Sequence, residues 1–185
     1  MKPGMFQRFL PVLLVVAHLA LWTAAFLTLR NVALYPDHFN IAGKPDSWTD
    51  MGWWLLPLIA LGMTLLLVGA VFLSRRLAVT SPQWVNLPRK LDWLELPVEA
   101  RLRAFKPAEG LLLGLAVFMN LTFISITLDT YAIASGAQAS LSTAKLVLVL
   151  ACMVVWLVLS IIRIRQAIGD EVRALRQAQA SEPTS

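Results

Sequence analysis

Gly52-Trp53-Trp54-Leu55-Leu56-Pro57-Leu58-Ile59-Ala60-Leu61-Gly62-Met63-Thr64-Leu65-Leu66-Leu67-Val68-Gly69-Ala70-Val71-Phe72-Leu73 runs for 22 residues without a charge. About 20 predominantly apolar residues, rising about 1.5 Å each, cross the roughly 30 Å hydrocarbon core of a bilayer. Lipid offers no partner to a bare N–H or C=O, so a run of this kind is predicted to be a membrane-spanning helix. Three other runs read the same way: 9–29, where His18 is the ionisable group, 110–128 and 146–162. Hydrophobic residues make up 58% of the chain and charged residues 15%. Soluble domains average roughly 45–50% and about 25%. A 185-residue chain has too little interior to hide that excess from water.

The predicted fold class is therefore an all-α integral membrane protein. A four-transmembrane-helix bundle carries a short ordered outer loop, a longer basic inner loop and a cytoplasmic helical tail. Residues 1–165 form the membrane domain, and 166–185 a helical extension ending in a disordered polar tail. The first run follows Lys2 and Arg8 as a secretory signal would. It is longer than a 7–15-residue signal core and ends at no small-x-small cleavage site, so it reads as a retained helix.

Charge placement gives the helices a direction. Thirteen of the sixteen Lys and Arg residues fall on one side, in the N-terminus, the 74–109 loop and the region after 162. Arg30, Lys44 and Lys145 fall on the other. Basic residues stay in the cytoplasm, which places both termini there. A formal net charge of +5 could suggest nucleic acid, but the charges sit between apolar runs and form no basic face, so no nucleic-acid partner is expected. Cys152, the single cysteine, reads as apolar filler. Gly62, Gly69 and the pair Gly110 and Gly114 mark places where helix backbones could approach closely.

Outside the spans, 30–51 carries Pro36, Gly43 and Pro45 and reads as a turn-rich loop. Trp48, Trp53 and Trp54 gather at its exit, where amphipathic rings favour the headgroup layer. In the 74–109 loop, Val98, Leu102 and Phe105 would share one face of a short helix starting at Pro97, with Glu99 and Arg103 paired at i,i+4. With Trp84 and Trp93, this piece is expected to lie on the inner leaflet against anionic headgroups. In the tail, Ile161, Ile164, Ile168, Val172 and Leu175 keep a helical period between arginines, the pattern of an interfacial helix or a partner contact.

The first loop also carries a recognisable pattern. Pro36-Asp37-His38-Phe39-Asn40, then Gly43 and Asp46, with Trp48 following, resembles the Pro-x-His-(Phe/Trp)-Asn-x-x-Gly-x-x-Asp signature of a bacterial membrane family of unknown function. That domain forms the N-terminal part of SdpI-type immunity proteins, which protect bacteria against a sporulation-delaying peptide toxin and help to signal its presence. The segment 86–94, followed by Pro97, Glu99 and Arg101, resembles the inner loop of many members. The likeness spans roughly residues 9 to 105. It implies a bacterial cytoplasmic membrane protein and a binding, signalling or immunity-like role, with a peptide or membrane-protein partner at the first outer loop.

The residues themselves leave two readings of that loop open. Asn40 and Asp46 could bond neighbouring amides around a positive-φ Gly43, with His38 packed on Trp48 or the membrane interface. Alternatively His38, Asp37, Asp46 and Asp50 could hold a ligand or divalent ion, although their spacing matches no strong metal motif. Within the spans, His18, Asn120 and Asp129 are costly in lipid and should face the interior. Thr122, Ser125 and Asp129 share one helical face. These polar groups fit interhelical hydrogen bonds or, as the alternative function, a transport or proton pathway. No nucleophile–base pair, phosphate-cradling glycine loop or carboxylate pair is legible. No catalytic residue, metal or cofactor is expected, and the chain reads as a non-enzyme.

Overall fold

A computed structural model describes residues 3–50 and 52–181, with side chains from Phe9 onward. Lys2 and the side chain of Arg8 at the basic start, Met51 of the first loop and the polar end 182–185 lie outside that description. Four long helices carry the chain: α1 (Pro3–Leu29), α2 (Leu55–Thr80), α4 (Val98–Ala134) and α5 (Thr143–Ser181), with a six-residue α3 (Lys90–Glu95) between α2 and α4. All four are long and apolar enough to cross a membrane. The two strands β1 (Tyr35–Phe39) and β2 (Pro45–Thr49) form an antiparallel hairpin between α1 and α2. Turn chemistry was legible there, but strand pairing was not.

The last two helices are longer than the expected spans. At 37 and 39 residues, α4 and α5 would rise about 55 Å and about 58 Å, well beyond one hydrocarbon core. Pro107 lies inside α4. It removes one backbone bond, but buried Ala104, Phe105 and Ala108 hold the helix on through it. The predicted short helix at 98–105 is thus the first part of α4. Likewise α5 runs unbroken through 165 and 166.

Residues cluster into two compact units: residues up to 67 with 114–153, and 68–113 with 154 onward. In the first unit, α1 buries Leu10, Leu14, Ala17, Leu21, Ala25 and Leu29, one stripe at steps of three and four. Its other faces expose Val12, Val15, Val16, Leu19 and Leu27, as suits a helix solvated by lipid. Small residues do line the packed faces, but here they are Ala60 and Ala116. Gly114 is buried in this unit, whereas a Cβ added at Gly62 would meet nothing.

The second unit is built around a hydrophobic cluster that includes Ala78, Val85, Trp93, Leu96, Ala100, Ala104, Phe105, Ile164, Ile168 and Val172. Of the two tryptophans expected at the inner leaflet, Trp84 is 75% exposed and Trp93 is folded into this cluster. Trp93 is fully buried, and Ile164, Ile168 and Val172 of the tail pack with residues of the chain's own 78–108 region, while Ile161 is 38% exposed. Ala100, Ala104 and Ala108, one turn apart, expose little bulk and admit close packing. Arg103 does not pair with Glu99. It grips Glu171 of α5 through two hydrogen bonds of 2.8 and 2.7 Å. Arg101 donates to the carbonyls of Ala78, Leu94 and Leu96 and stacks 5.5 Å from the Trp93 ring. It thereby satisfies carbonyls left over near the C-terminal ends of α2 and α3.

Candidate functional site

The hairpin bearing the sequence motif is shaped by its prolines and by one glycine. Tyr35 faces Thr49, Pro36 faces Trp48, His38 faces Ser47 and Phe39 faces Pro45, with two register irregularities. Pro36 and Pro45 lack an N–H to donate, which suits a short, bulged ladder. Asn40 closes the turn: its side-chain oxygen accepts from the amides of Ala42 and Lys44, and its backbone pairs with Lys44 and Gly43. Gly43 adopts φ +71°, a region that a side chain would strain.

The base of the hairpin is fixed. Buried Tyr35 donates its hydroxyl to the carbonyl of Gly52 at 2.9 Å. Burial, reinforced by Asp37 and then Asp50, holds that phenol above its ordinary pKa and so keeps the donor protonated. Trp53 packs edge-on against Trp22 and Phe26, and the Arg30 guanidinium lies 4.5 Å above the Phe26 ring. The carbonyl of Gly43 accepts from the Leu141 amide at 2.9 Å, tying the turn to the loop between α4 and α5.

What the hairpin displays is mixed. His38 Nδ1 meets Asp46 Oδ1 at 2.5 Å, with the side chains 70% and 41% exposed. Asp46 therefore pairs with the His38 ring and not with a neighbouring amide. Ile41 at the turn is fully exposed, Trp48 is half exposed, and Asp37 is open to solvent, while Pro36 is buried. Among the described residues, no group of three or more His, Cys, Asp or Glu side chains is placed to hold a metal.

Polar residues of the long apolar helices form a separate network in the same unit. Trp22 Nε1–H donates to His18 Nε2 at 2.9 Å, and His18 Nδ1 lies 2.8 Å from Asn120 Oδ1. Asn120 in turn donates to Thr64 Oγ1 and to the carbonyl of Ala116, both at 2.9 Å. Indole is only a donor, so His18 Nε2 must accept and Nδ1 must carry the proton. Buried Asp129 accepts from Lys145 Nζ and from the Ser142 amide at the start of α5, both at 2.7 Å. A carboxylate at a helix N-terminus also complements its dipole. Thr122, expected to share an inward face, bonds the carbonyl of Phe118 on its own helix.

Sequence reasoning missed Tyr35, Trp22 and Arg101 as organising residues. The step of four between His18 and Trp22 was the available signal for one of them. Compared with family models, curated proteins and solved structures, the chain matches none.

Proposed function

We propose that this chain is a non-enzymatic multi-pass protein of the bacterial cytoplasmic membrane, with both termini cytoplasmic, whose 35–49 hairpin recognises a peptide or another membrane protein on the outer side. The observation that carries this reading is a rigid base under an exposed, chemically mixed turn. Tyr35, Gly43 and Trp53 fix the hairpin, while Ile41, Trp48 and the His38–Asp46 pair are left open. Aromatic and charged groups presented on a preorganised loop are what protein recognition uses. The resemblance to the SdpI-type domain suggests that the partner is a membrane-active peptide.

In a strain lacking the chain, sensitivity to membrane-active peptides should rise, and the wild-type gene should restore it. Ile41→Asp and Trp48→Ala, at matched membrane levels, should restore little. Full restoration by both variants would refute a recognition role for the hairpin. The alternative of a proton or ion pathway draws on His18, Asn120 and Asp129. Each of these is engaged by a partner within the chain, whereas the hairpin leaves Ile41, Trp48 and the His38–Asp46 pair open. The hairpin therefore has the stronger support.

A further inference from the structure

The second unit contains a cavity of about 410 Å³, walled by α2, the 84–88 segment, α4 and α5. Ligand pockets fall between about 300 and 1,000 Å³. Leu77, Phe105, Leu111, Leu112 and Ile164 make it largely apolar, and Ser74 and Asn86 add polar groups. Trp84, on the same wall, is 75% exposed, an amphipathic ring of the kind that settles at a headgroup layer. In sequence the lining residues are neighboured by arginines on α2 and α5: Arg76 near Ser74, and Arg163 and Arg165 on either side of Ile164. The adjoining acid, Glu109, is opposed by Arg75 at 3.8 Å.

From this juxtaposition we infer that the cavity is a site for one anionic phospholipid, with an acyl chain among the leucines and the phosphate drawn to the flanking arginines. Three of its walls are helices that qualify as membrane spans, so a lipid is the apolar ligand always at hand. Arginines beside a pocket between such helices favour an anionic head over a zwitterionic one.

The test is native mass spectrometry of the full chain in detergent, titrated with dioleoyl phosphatidylglycerol or with dioleoyl phosphatidylcholine. The expected result is one phosphatidylglycerol adduct, favoured at least about tenfold over phosphatidylcholine. Leu112→Trp and Ser74→Trp fill the chamber from different walls and should each weaken that adduct about tenfold or more. Val147→Trp, on an exposed position outside this unit, should leave it unchanged. Either filled variant that retains its helicity suffices for the test. Equal retention of the two lipids, or an adduct that persists in a folded filled variant, overturns the site.

Discussion

Each unit is held by different chemistry. Buried polar side chains gather in the first, where Thr64, Asn120 and Asp129 are hydrogen-bonded, with Ser160 buried in the second, whereas the large hydrophobic cluster around Trp93, Phe105 and Ile168 belongs to the second. In hydrocarbon, two apolar helix faces gain little by leaving lipid for each other. Hydrogen bonds such as those between His18, Asn120 and Thr64 must then set which helices meet and in what register. The second unit contains the polar 74–109 loop and the arginine-rich end of α5, and its apolar side chains pack on one another around Trp93. Its arginines do structural work at helix ends, as Arg101 does for three carbonyls.

The sharpest way to break this contrast is to remove bulk from the second unit. Trp93→Ala should lower stability by about 3–5 kcal/mol, the usual cost of emptying a buried aromatic site. It should also release the cation–π contact with Arg101. Reversible unfolding in mixed detergent would measure it. A loss below about 1 kcal/mol would mean that the cluster is not a packed core. Asn120→Leu tests the other side. It removes the acceptor for His18 and the donor to Thr64 while keeping an apolar volume. Membrane hydrogen bonds are worth about 0.6 to 2 kcal/mol, so the loss should be about 1–2 kcal/mol and clearly smaller. A double-mutant cycle with Thr64→Val should show coupling. Additive effects would mean that the network does not act as a unit.

The same contrast explains what was legible in the sequence. Uncharged runs reveal spans because the requirement is local: about 20 apolar residues in a row. Asn40 and Gly43 reveal a turn because their chemistry acts over a few residues. The hairpin around that turn was hidden, since Pro36, Pro45 and the register irregularities disrupt the alternation that marks a strand. The second unit was hidden for a different reason. Phe105 and the Ile164–Ile168–Val172 stripe each showed an apolar face, and lipid, a partner or another part of the chain could equally have covered it. Which of these does so depends on tertiary packing over some 60 residues of separation, and periodicity carries no information about that. His18 and Asn120 were recognisable as interior polar groups, but their pairing, and the tautomer that it dictates, required the geometry.

The smallest expected effect concerns the point where the hairpin meets the membrane helices. Tyr35 donates to the Gly52 carbonyl from a buried position that raises its pKa above the ordinary value of about 10. The folded state thus holds this proton more tightly than the unfolded state does. Its contribution is fully present below about pH 10 and is lost as pH rises through the raised folded value. Ionisation would also turn the donor into an anion facing a carbonyl, with Asp37 and Asp50 near by. Amide exchange across 35–49, followed by mass spectrometry and corrected for the intrinsic rise of exchange with pH, should therefore show protection that is steady at neutral pH and falls only above about pH 10. Tyr35→Phe, which has nothing to ionise, should start with somewhat less protection and lack that alkaline fall. If wild type and variant lose protection in parallel, the base of the hairpin is held by the Trp53 contacts and the Gly43–Leu141 bond without help from the phenol.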